Sequence, residues 1–135
     1  MKKKVLILCT GNSCRSIMAE ALINARLGDC IEAKSSGVEA SGVVNPDAKK
    51  LLESKGEWRE SYHSKVIQTV LDTAFDLVVT VCDNAKESCP VFSNVVKTIH
   101  VGFADPSKKE FEEYEKTYTL IENELLPIVK KELCI

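Results

Sequence analysis

Hydrophobic and polar positions form two kinds of block along the chain. Short, nearly continuous apolar runs are typical of buried strands, and they are separated by stretches in which apolar residues recur at helical spacing. The runs that predict strands are Lys4–Leu8, Ile31–Ser36, Leu77–Val81 and Val96–Val101. Strands separated by helices predict an α/β fold, a doubly wound four-stranded parallel sheet with helices on both faces. No repeat or linker interrupts the pattern, so residues 1–135 are expected to form a single domain.

Capping residues and glycines mark where the predicted helices begin and end. Ser16 is expected to cap the first helix, which Gly28 closes. Asn45-Pro46 combines a capping side chain with proline at the first turn, and this second helix is expected to end near Gly56. A further helical stretch is predicted over Lys65–Thr73.

The last predicted helix is the longest, from Glu110 to Glu132. Its apolar residues fall at steps of three and four and therefore form one stripe. The stripe consists of Phe111, Tyr114, Tyr118, Ile121, Leu125 and Ile128. We expect it to pack against the sheet as part of the core.

Composition and charge narrow the range of partners. The 135 residues are 44% hydrophobic with a net charge of -2, and no basic stretch beyond Lys2–Lys4 suggests a nucleic-acid surface. The apolar run after these lysines stops at Thr10–Asn12 without a signal-peptide cleavage site, and nothing approaches a membrane span. We therefore expect a soluble, cytoplasmic monomer that binds neither nucleic acid nor membranes.

Six cysteines in a chain of this size need an explanation. They are Cys9, Cys14, Cys30, Cys82, Cys89 and Cys134. Without a secretory signal, a static disulfide framework is not expected, which leaves catalysis, metal binding or packing. The cysteine spacing does not suit a structural zinc site, and only His63 and His100 could complete one, so no metal is expected.

An anion-binding loop is predicted between the first strand and the first helix. A loop at a helix N-terminus directs backbone N–H groups inward and adds the helix dipole. Gly11 is expected to permit the tight path, Arg15 to grip a tetrahedral oxyanion with its planar fork, and Ser16 to donate a hydrogen bond to sulfur. The same positive field is expected to lower the pKa of Cys9 and make it a nucleophile. The predicted substrate-binding residues are Thr10, Gly11, Asn12, Ser13, Cys14 and Ser16.

The string Cys9-Thr10-Gly11-Asn12-Ser13-Cys14-Arg15-Ser16 closely resembles the phosphate-binding loop of the low-molecular-weight tyrosine phosphatase family and of the arsenate reductases that share its fold. The resemblance implies that Asp105, in Asp105-Pro106, is a general acid that helps an oxygen leave as water or alcohol. Ser107 follows Pro106 where phosphatases of the family commonly have an aromatic residue. This departure favours the reductases.

Cys82 and Cys89 distinguish the two activities. Reduction of arsenate to arsenite needs two electrons, which thiols supply by ending as a disulfide. The pair at this spacing is similar to the redox cysteines of thioredoxin-coupled arsenate reductases, which implies a relay from Cys9 to Cys82 to Cys89 with thioredoxin as the electron donor. Seven helical steps rise about 10.5 Å, whereas a disulfide needs Cα atoms within roughly 7 Å. The segment between the two cysteines must therefore be, or become, a loop.

Other assignments remain open at the level of sequence. Some members of the family bind a monovalent cation through residues corresponding to Asn12, Glu20 and Ser35. Ser61–Val66 offers no further carboxylate, so the sequence does not decide whether this chain has a potassium site. No tightly bound cofactor is expected. Arsenate is the expected substrate, with phosphate or sulfate as mimics. The alternatives are a phosphatase that uses Cys9, Arg15 and Asp105, as a main or residual activity, and a non-enzymatic oxyanion or metal regulator.

Overall fold

The protein is described by a computed structural model, which covers residues 2–70, 72–82, 96–106 and 109–133. Over these residues four strands form one parallel sheet in the order β2-β1-β3-β4. They are β1 (Lys3–Cys9), β2 (Ile31–Gly37), β3 (Leu77–Thr80) and β4 (Lys97–His100). The direction of strand addition reverses between β1 and β3, which confirms the predicted doubly wound α/β class. Each observed strand end lies within one residue of the predicted one.

The centre of the sheet is β1, whose residues Val5–Leu8 are fully buried. β1 carries a continuous aliphatic run because it has a neighbouring strand on each side and is covered by packed layers. Its register places Cys9 opposite Gly37 on β2 and Leu8 opposite Thr80 on β3. The carboxyl ends of the three strands therefore meet at one edge, where ligands bind in open α/β sheets.

The first two helices each confirm one of their predicted ends, the C-terminal end of the first and the N-terminal end of the second. α1 (Arg15–Leu27) ends before Gly28 as predicted, but its N-terminal flanking residue is Cys14, and Ser16 lies inside the helix instead of capping it. α2 (Pro46–Ser54) begins as expected, because the Asn45 side chain accepts hydrogen bonds from the next free backbone N–H groups. Over the described ranges, no helix is long and apolar enough to cross a membrane.

The helix predicted over Lys65–Thr73 is wrong. Among the described residues of this stretch, only Ile67–Thr69 is helical, as a short 3₁₀ turn. The preceding backbone is extended because it pairs with the end of β2: Gly37 donates a hydrogen bond to the carbonyl of Lys65 at 2.9 Å and forms a parallel bridge with Val66. These tertiary hydrogen bonds override the local helical spacing.

The predicted C-terminal helix consists of three consecutive segments. They are α3 (Phe111–Leu120), a π-helical turn (Ile121–Leu125) and α4 (Leu126–Glu132). Pro127 explains the interruption, since it has no N–H for the carbonyl four residues earlier, and a wider turn accommodates the missing hydrogen bond.

The π turn shifts the apolar stripe by one residue. Tyr114, Tyr118, Ile121 and Leu125 are buried, as predicted. Beyond the turn Val129 is fully buried instead of Ile128, which lies at intermediate exposure. The prediction of Ile128 as a core residue is therefore wrong, because it assumed an uninterrupted period of 3.6 residues.

Candidate active site

The loop between β1 and α1 is held from outside by backbone hydrogen bonds. The carbonyl groups of four loop residues accept N–H groups from the segment that follows β2. The pairs are Cys9 with Val38 (3.1 Å), Thr10 with Glu39 (3.0 Å), Gly11 with Ser41 (2.9 Å) and Ser13 with Asn45 (2.8 Å). The Ser64 hydroxyl adds a second bond to the Gly11 carbonyl at 3.0 Å. The loop therefore turns its carbonyl oxygens toward the protein.

Because the loop carbonyls point toward the supporting segment, the loop N–H groups are left to form a cradle for an anion. In a trans peptide, the carbonyl of one residue and the N–H of the next point in opposite directions, and the described chain has no cis peptide. The N–H groups of Thr10, Gly11, Asn12 and Cys14 consequently point away from the supporting segment. The Thr10 N–H interacts with the Cys9 thiol and favours its charged form. Such a row of N–H groups at a helix N-terminus suits a tetrahedral oxyanion.

The tight turn of the loop is made by Asn12 and not by Gly11. Asn12 has φ 49°, in the left-handed region that asparagine tolerates better than most residues. A Cβ at Gly11 would make only an ordinary contact of 3.6 Å with the Ser13 hydroxyl. The prediction that Gly11 permits the backbone path is therefore wrong.

Gly37 is a site residue that the sequence analysis missed. A Cβ on Gly37 would lie 2.5 Å from the Thr10 carbonyl oxygen, which is closer than atoms can approach, and 3.0 Å from the Asn12 nitrogen, which is a tight contact. Only glycine lets the end of β2 come this close to the loop. The signal that could have found it is a glycine directly after the predicted strand Ile31–Ser36.

The Asn12 side chain fastens the loop at its centre. Its amide donates hydrogen bonds of 2.9 Å to the hydroxyls of Ser16 and Ser35, and its carbonyl oxygen accepts the backbone N–H of Lys65 at 2.8 Å. Ser35 in turn donates to the Glu20 carboxylate at 2.6 Å. In this arrangement the hydroxyl oxygen of Ser16 serves as an acceptor for Asn12, and the predicted hydrogen bond from Ser16 to the nucleophile stays a prediction.

Arg15 and Asp105 approach each other across the mouth of the cradle. Arg15 donates to the Phe103 carbonyl at 3.0 Å and lies 3.7 Å from the Asp105 carboxylate. The Arg15 side chain is 15% exposed and that of Asp105 50%, so the acid is open to solvent while the guanidinium is largely enclosed. The two predicted residues are thus brought to one place. Together with Cys82, Gly102, Phe103 and Ala104 they line a cavity of about 320 Å³.

Cys82 lies beside the nucleophile, as its position after β3 predicts. The Thr10 hydroxyl is 3.1 Å from the Cys82 sulfur. The pKa of Cys9 is raised, first by hydrogen bonding with the Cys82 thiol and second by burial, whereas Arg15 and the Thr10 N–H lower it. The predicted net lowering of the Cys9 pKa is wrong for this arrangement, because the sequence did not show that a second thiol would contact the first.

The remaining cysteines differ in their surroundings. Cys14 is buried in the loop, and burial raises its pKa to about 12. Cys30 is exposed at the opposite end of the sheet, before β2. Cys89 and Cys134 lie outside the described residues. In the described part of the chain, no group of three or more His, Cys, Asp or Glu side chains is placed to hold a metal ion.

The influence of Cys82 on Cys9 can be measured. Cys82→Ala is expected to lower the pKa of Cys9, because it removes the largest cause that raises it. The thiolate fraction at a fixed pH then increases, so the midpoint of Cys9 alkylation by iodoacetamide moves to lower pH. Peptide mapping assigns the alkylated residue, and Cys30→Ala, which changes an exposed and distant thiol, is the matched control. A midpoint that stays in place or rises contradicts the contact.

Comparison with known proteins decides the family. Residues 4–133 match the family described as low molecular weight phosphotyrosine protein phosphatase. The chain belongs to this family. A relative from Brevibacillus brevis, named arsenate reductase, is 41% identical over 115 residues, which are 85% of this chain and 85% of the relative.

Solved structures of two differently named enzymes share the fold. An arsenate reductase from Archaeoglobus fulgidus is 32% identical, with a TM-score of 0.78 over 93% of this chain and 98% of that one. A low molecular weight protein tyrosine phosphatase from T. tengcongensis is 28% identical, with a TM-score of 0.81 over 96% and 99% of the two chains. The family scaffold therefore carries two differently named activities, and residues specific to this chain must distinguish them.

Proposed function

We propose that this chain is an arsenate reductase that uses a three-cysteine relay and is recycled by thioredoxin. The observation that carries the proposal is the position of Cys82 beside the nucleophile: its sulfur lies 3.1 Å from the hydroxyl of Thr10, the residue that follows Cys9. Hydrolysis of a phosphoester needs one thiol, whereas two-electron reduction needs a second thiol within reach of the first. The naming of the Brevibacillus brevis relative supports the same activity.

The first step is capture and attack. Arsenate enters the cradle, where the loop N–H groups and the Arg15 guanidinium balance its charge. To bind it, Arg15 exchanges its present contacts with the Phe103 carbonyl and Asp105 for the oxyanion. The Cys9 thiol passes its proton to an arsenate oxygen, a loss that the Arg15 charge and the Thr10 N–H favour. The sulfur then bonds to arsenic, and one arsenate oxygen leaves as water with a proton from Asp105.

The second and third steps move two electrons. Cys82 loses its proton and attacks the Cys9 sulfur; the sulfur–arsenic bond breaks, and its electron pair stays on arsenic, which leaves as arsenite. A Cys9–Cys82 disulfide results. Cys89 then attacks Cys82, which returns Cys9 as a thiolate and leaves Cys82–Cys89. The dithiol of thioredoxin reduces this disulfide and becomes oxidised itself.

Asp105 provides a test of the first step. Asp105→Asn is expected to reduce the chemical rate by roughly 10²- to 10⁴-fold, because an amide cannot supply the proton to the leaving oxygen. Oxyanion affinity is expected to change little, since the cradle and Arg15 are retained. Single-turnover kinetics measures the rate, and protection of Cys9 from alkylation by phosphate measures binding. Asp47→Asn, on the nearby helix α2, is the matched control. Weakened binding with normal turnover would assign Asp105 another role.

A phosphomonoesterase is the second candidate, favoured by the approach of Arg15 and Asp105 at the mouth of the cradle and by the T. tengcongensis neighbour. It would use Cys9, Arg15 and Asp105 without the other two thiols. Steady arsenate turnover that requires thioredoxin, thioredoxin reductase and NADPH supports the reductase. Hydrolysis of a chromogenic phosphoester without such turnover would favour the phosphatase. If both activities are absent, an oxyanion-binding regulator becomes the best explanation.

A further inference from the structure

A second cavity, of about 310 Å³, lies on the other side of the network that fastens the anion loop. Glu20 lines it, with a carboxylate that is 5% exposed and accepts the Ser35 hydroxyl. Lys65 lines the same cavity, and its backbone N–H donates to Asn12. Lys34, Arg59 and His63 add further positive or protonatable groups, and Glu32 adds an exposed carboxylate. The buried Glu20 is therefore connected through Ser35 to Asn12, a residue of the loop.

A buried carboxylate is costly unless positive charge lies near it. Burial raises the pKa of Glu20, and Lys65 is the first of the groups that oppose this rise, ahead of His63 and Lys34. Reciprocally, burial lowers the pKa of Lys65 while Glu20 raises it. The Lys65 ammonium also donates to the His63 carbonyl at 3.2 Å, which holds it at the cavity wall.

The oxygen atoms expected to bind a potassium ion do not fit that role here. The Asn12 carbonyl oxygen already accepts the Lys65 N–H, and the Ser35 hydroxyl is used between Asn12 and Glu20. Residues 61–66 bring an ammonium group to the cavity and no carboxylate. Among the residues expected to bind the ion, Glu20 is the only carboxylate, and the Lys65 ammonium group lines the same cavity as a positive charge that opposes cation binding.

We propose that Lys65 is a positioning residue that supplies, from within the chain, the positive charge required by Glu20, and thereby holds Asn12 and the anion loop without a bound alkali-metal ion. The ionised carboxylate orients the Ser35 hydroxyl as a donor to itself, which leaves the Ser35 lone pairs free to accept the Asn12 amide. Asn12 is in turn the residue that adopts the left-handed turn of the cradle. Lys65 acts at this point twice, through its charge and through its backbone N–H.

The first test uses the parent protein. The proposal rests on oxyanion binding by the loop, which the reductase and the phosphatase would share. The dissociation constant for phosphate is measured by protection of Cys9 from alkylation, in potassium, sodium or tetramethylammonium chloride at equal ionic strength. The three values are expected to agree within about twofold, a difference of about 0.4 kcal/mol, because the positive charge is part of the chain. A parent that binds phosphate only in potassium overturns the proposal.

Variants of Lys65 provide the second test. Lys65→Met is expected to weaken phosphate binding by roughly 2- to 30-fold, the range seen for residues that act on a site without touching the ligand. Lys65→Arg restores the charge and is expected to stay near the parent. Lys65→Asp replaces the ammonium group with a carboxylate in the cavity that Glu20 lines, so its phosphate binding is expected to become dependent on potassium. Lys34→Met, which removes another positive charge from the same cavity wall, is the matched control.

The outcomes separate this proposal from the proposed function. Equal losses in Lys65→Met and Lys34→Met, or a Lys65→Asp variant that is indifferent to potassium, overturn the role of Lys65. Thermal unfolding accompanies each variant; if Lys65→Met does not fold, the parent salt series and Lys65→Arg still decide. Phosphate binding that follows these expectations without any arsenate turnover counts against the reductase alone. A parent that binds no oxyanion overturns both.

Discussion

Cys9→Ser is expected to abolish arsenate reduction and any phosphoester hydrolysis, with a loss of at least about 10⁴-fold in each. Both reactions begin with attack by the same sulfur, which lies at the base of the cradle beside Arg15 and Cys82. A serine hydroxyl has a much higher pKa than a thiol and remains protonated there. Turnover is measured with arsenate in the thioredoxin-coupled assay and with a chromogenic phosphoester.

Phosphate binding by Cys9→Ser and the activity of Cys30→Ser serve as controls for this result. Calorimetric titration with phosphate is expected to show that Cys9→Ser retains oxyanion binding, because the loop N–H groups are unchanged. Cys30→Ser, which alters an exposed thiol at the opposite end of the sheet, is expected to keep parent activity. Parent-like arsenate turnover by Cys9→Ser would show that Cys9 is not the nucleophile.

Cys89→Ser is expected to release about one arsenite per enzyme and then stop. Cys9 and Cys82 together supply the two electrons of a single turnover by forming a disulfide with each other. Without Cys89, no internal thiol frees the nucleophile from the resulting disulfide. Rapid-quench measurement of arsenite, followed by peptide mapping, reads the stoichiometry and the Cys9–Cys82 linkage in one experiment.

The parent protein and the second substrate serve as controls for this prediction. When thioredoxin is withheld, the parent is expected to accumulate Cys82–Cys89 instead of Cys9–Cys82. Reduced Cys89→Ser is expected to hydrolyse phosphoesters as well as the parent does, because that reaction needs only Cys9. Continued thioredoxin-coupled turnover of Cys89→Ser at the parent rate would refute the three-cysteine relay and favour the phosphatase.

The sequence predicted the sheet, its parallel class and the loop that follows β1 because those features have local signatures. Continuous aliphatic residues in Val5–Leu8 reflect burial on both faces of a central strand. Asn45-Pro46 predicts the start of α2 from local sequence alone, because capping needs only the Asn45 side chain and the next two N–H groups. The position of Cys82 near the loop followed from the shared edge of parallel strands.

Features that depend on contacts distant in sequence were not predicted. The prediction of a helix over Lys65–Thr73 was wrong because Lys65 and Val66 pair with Gly37. The raised pKa of Cys9 needs the Cys82 thiol, which lies far along the chain. The shift from Ile128 to Val129 depends on how the helix accommodates Pro127, which spacing alone does not reveal.

The support of the anion loop also determines which sequences the supporting segment tolerates. The bonds to the carbonyls of Cys9, Thr10, Gly11 and Ser13 come from main-chain N–H groups of residues 38–45. None of these bonds uses a side chain at positions 38, 39 or 41, so substitutions there leave the bonds to the cradle in place. Proline is the exception, because it has no N–H to donate. Related proteins should thus differ freely along this segment while avoiding proline at these three positions, and a random library there should retain oxyanion binding in most clones.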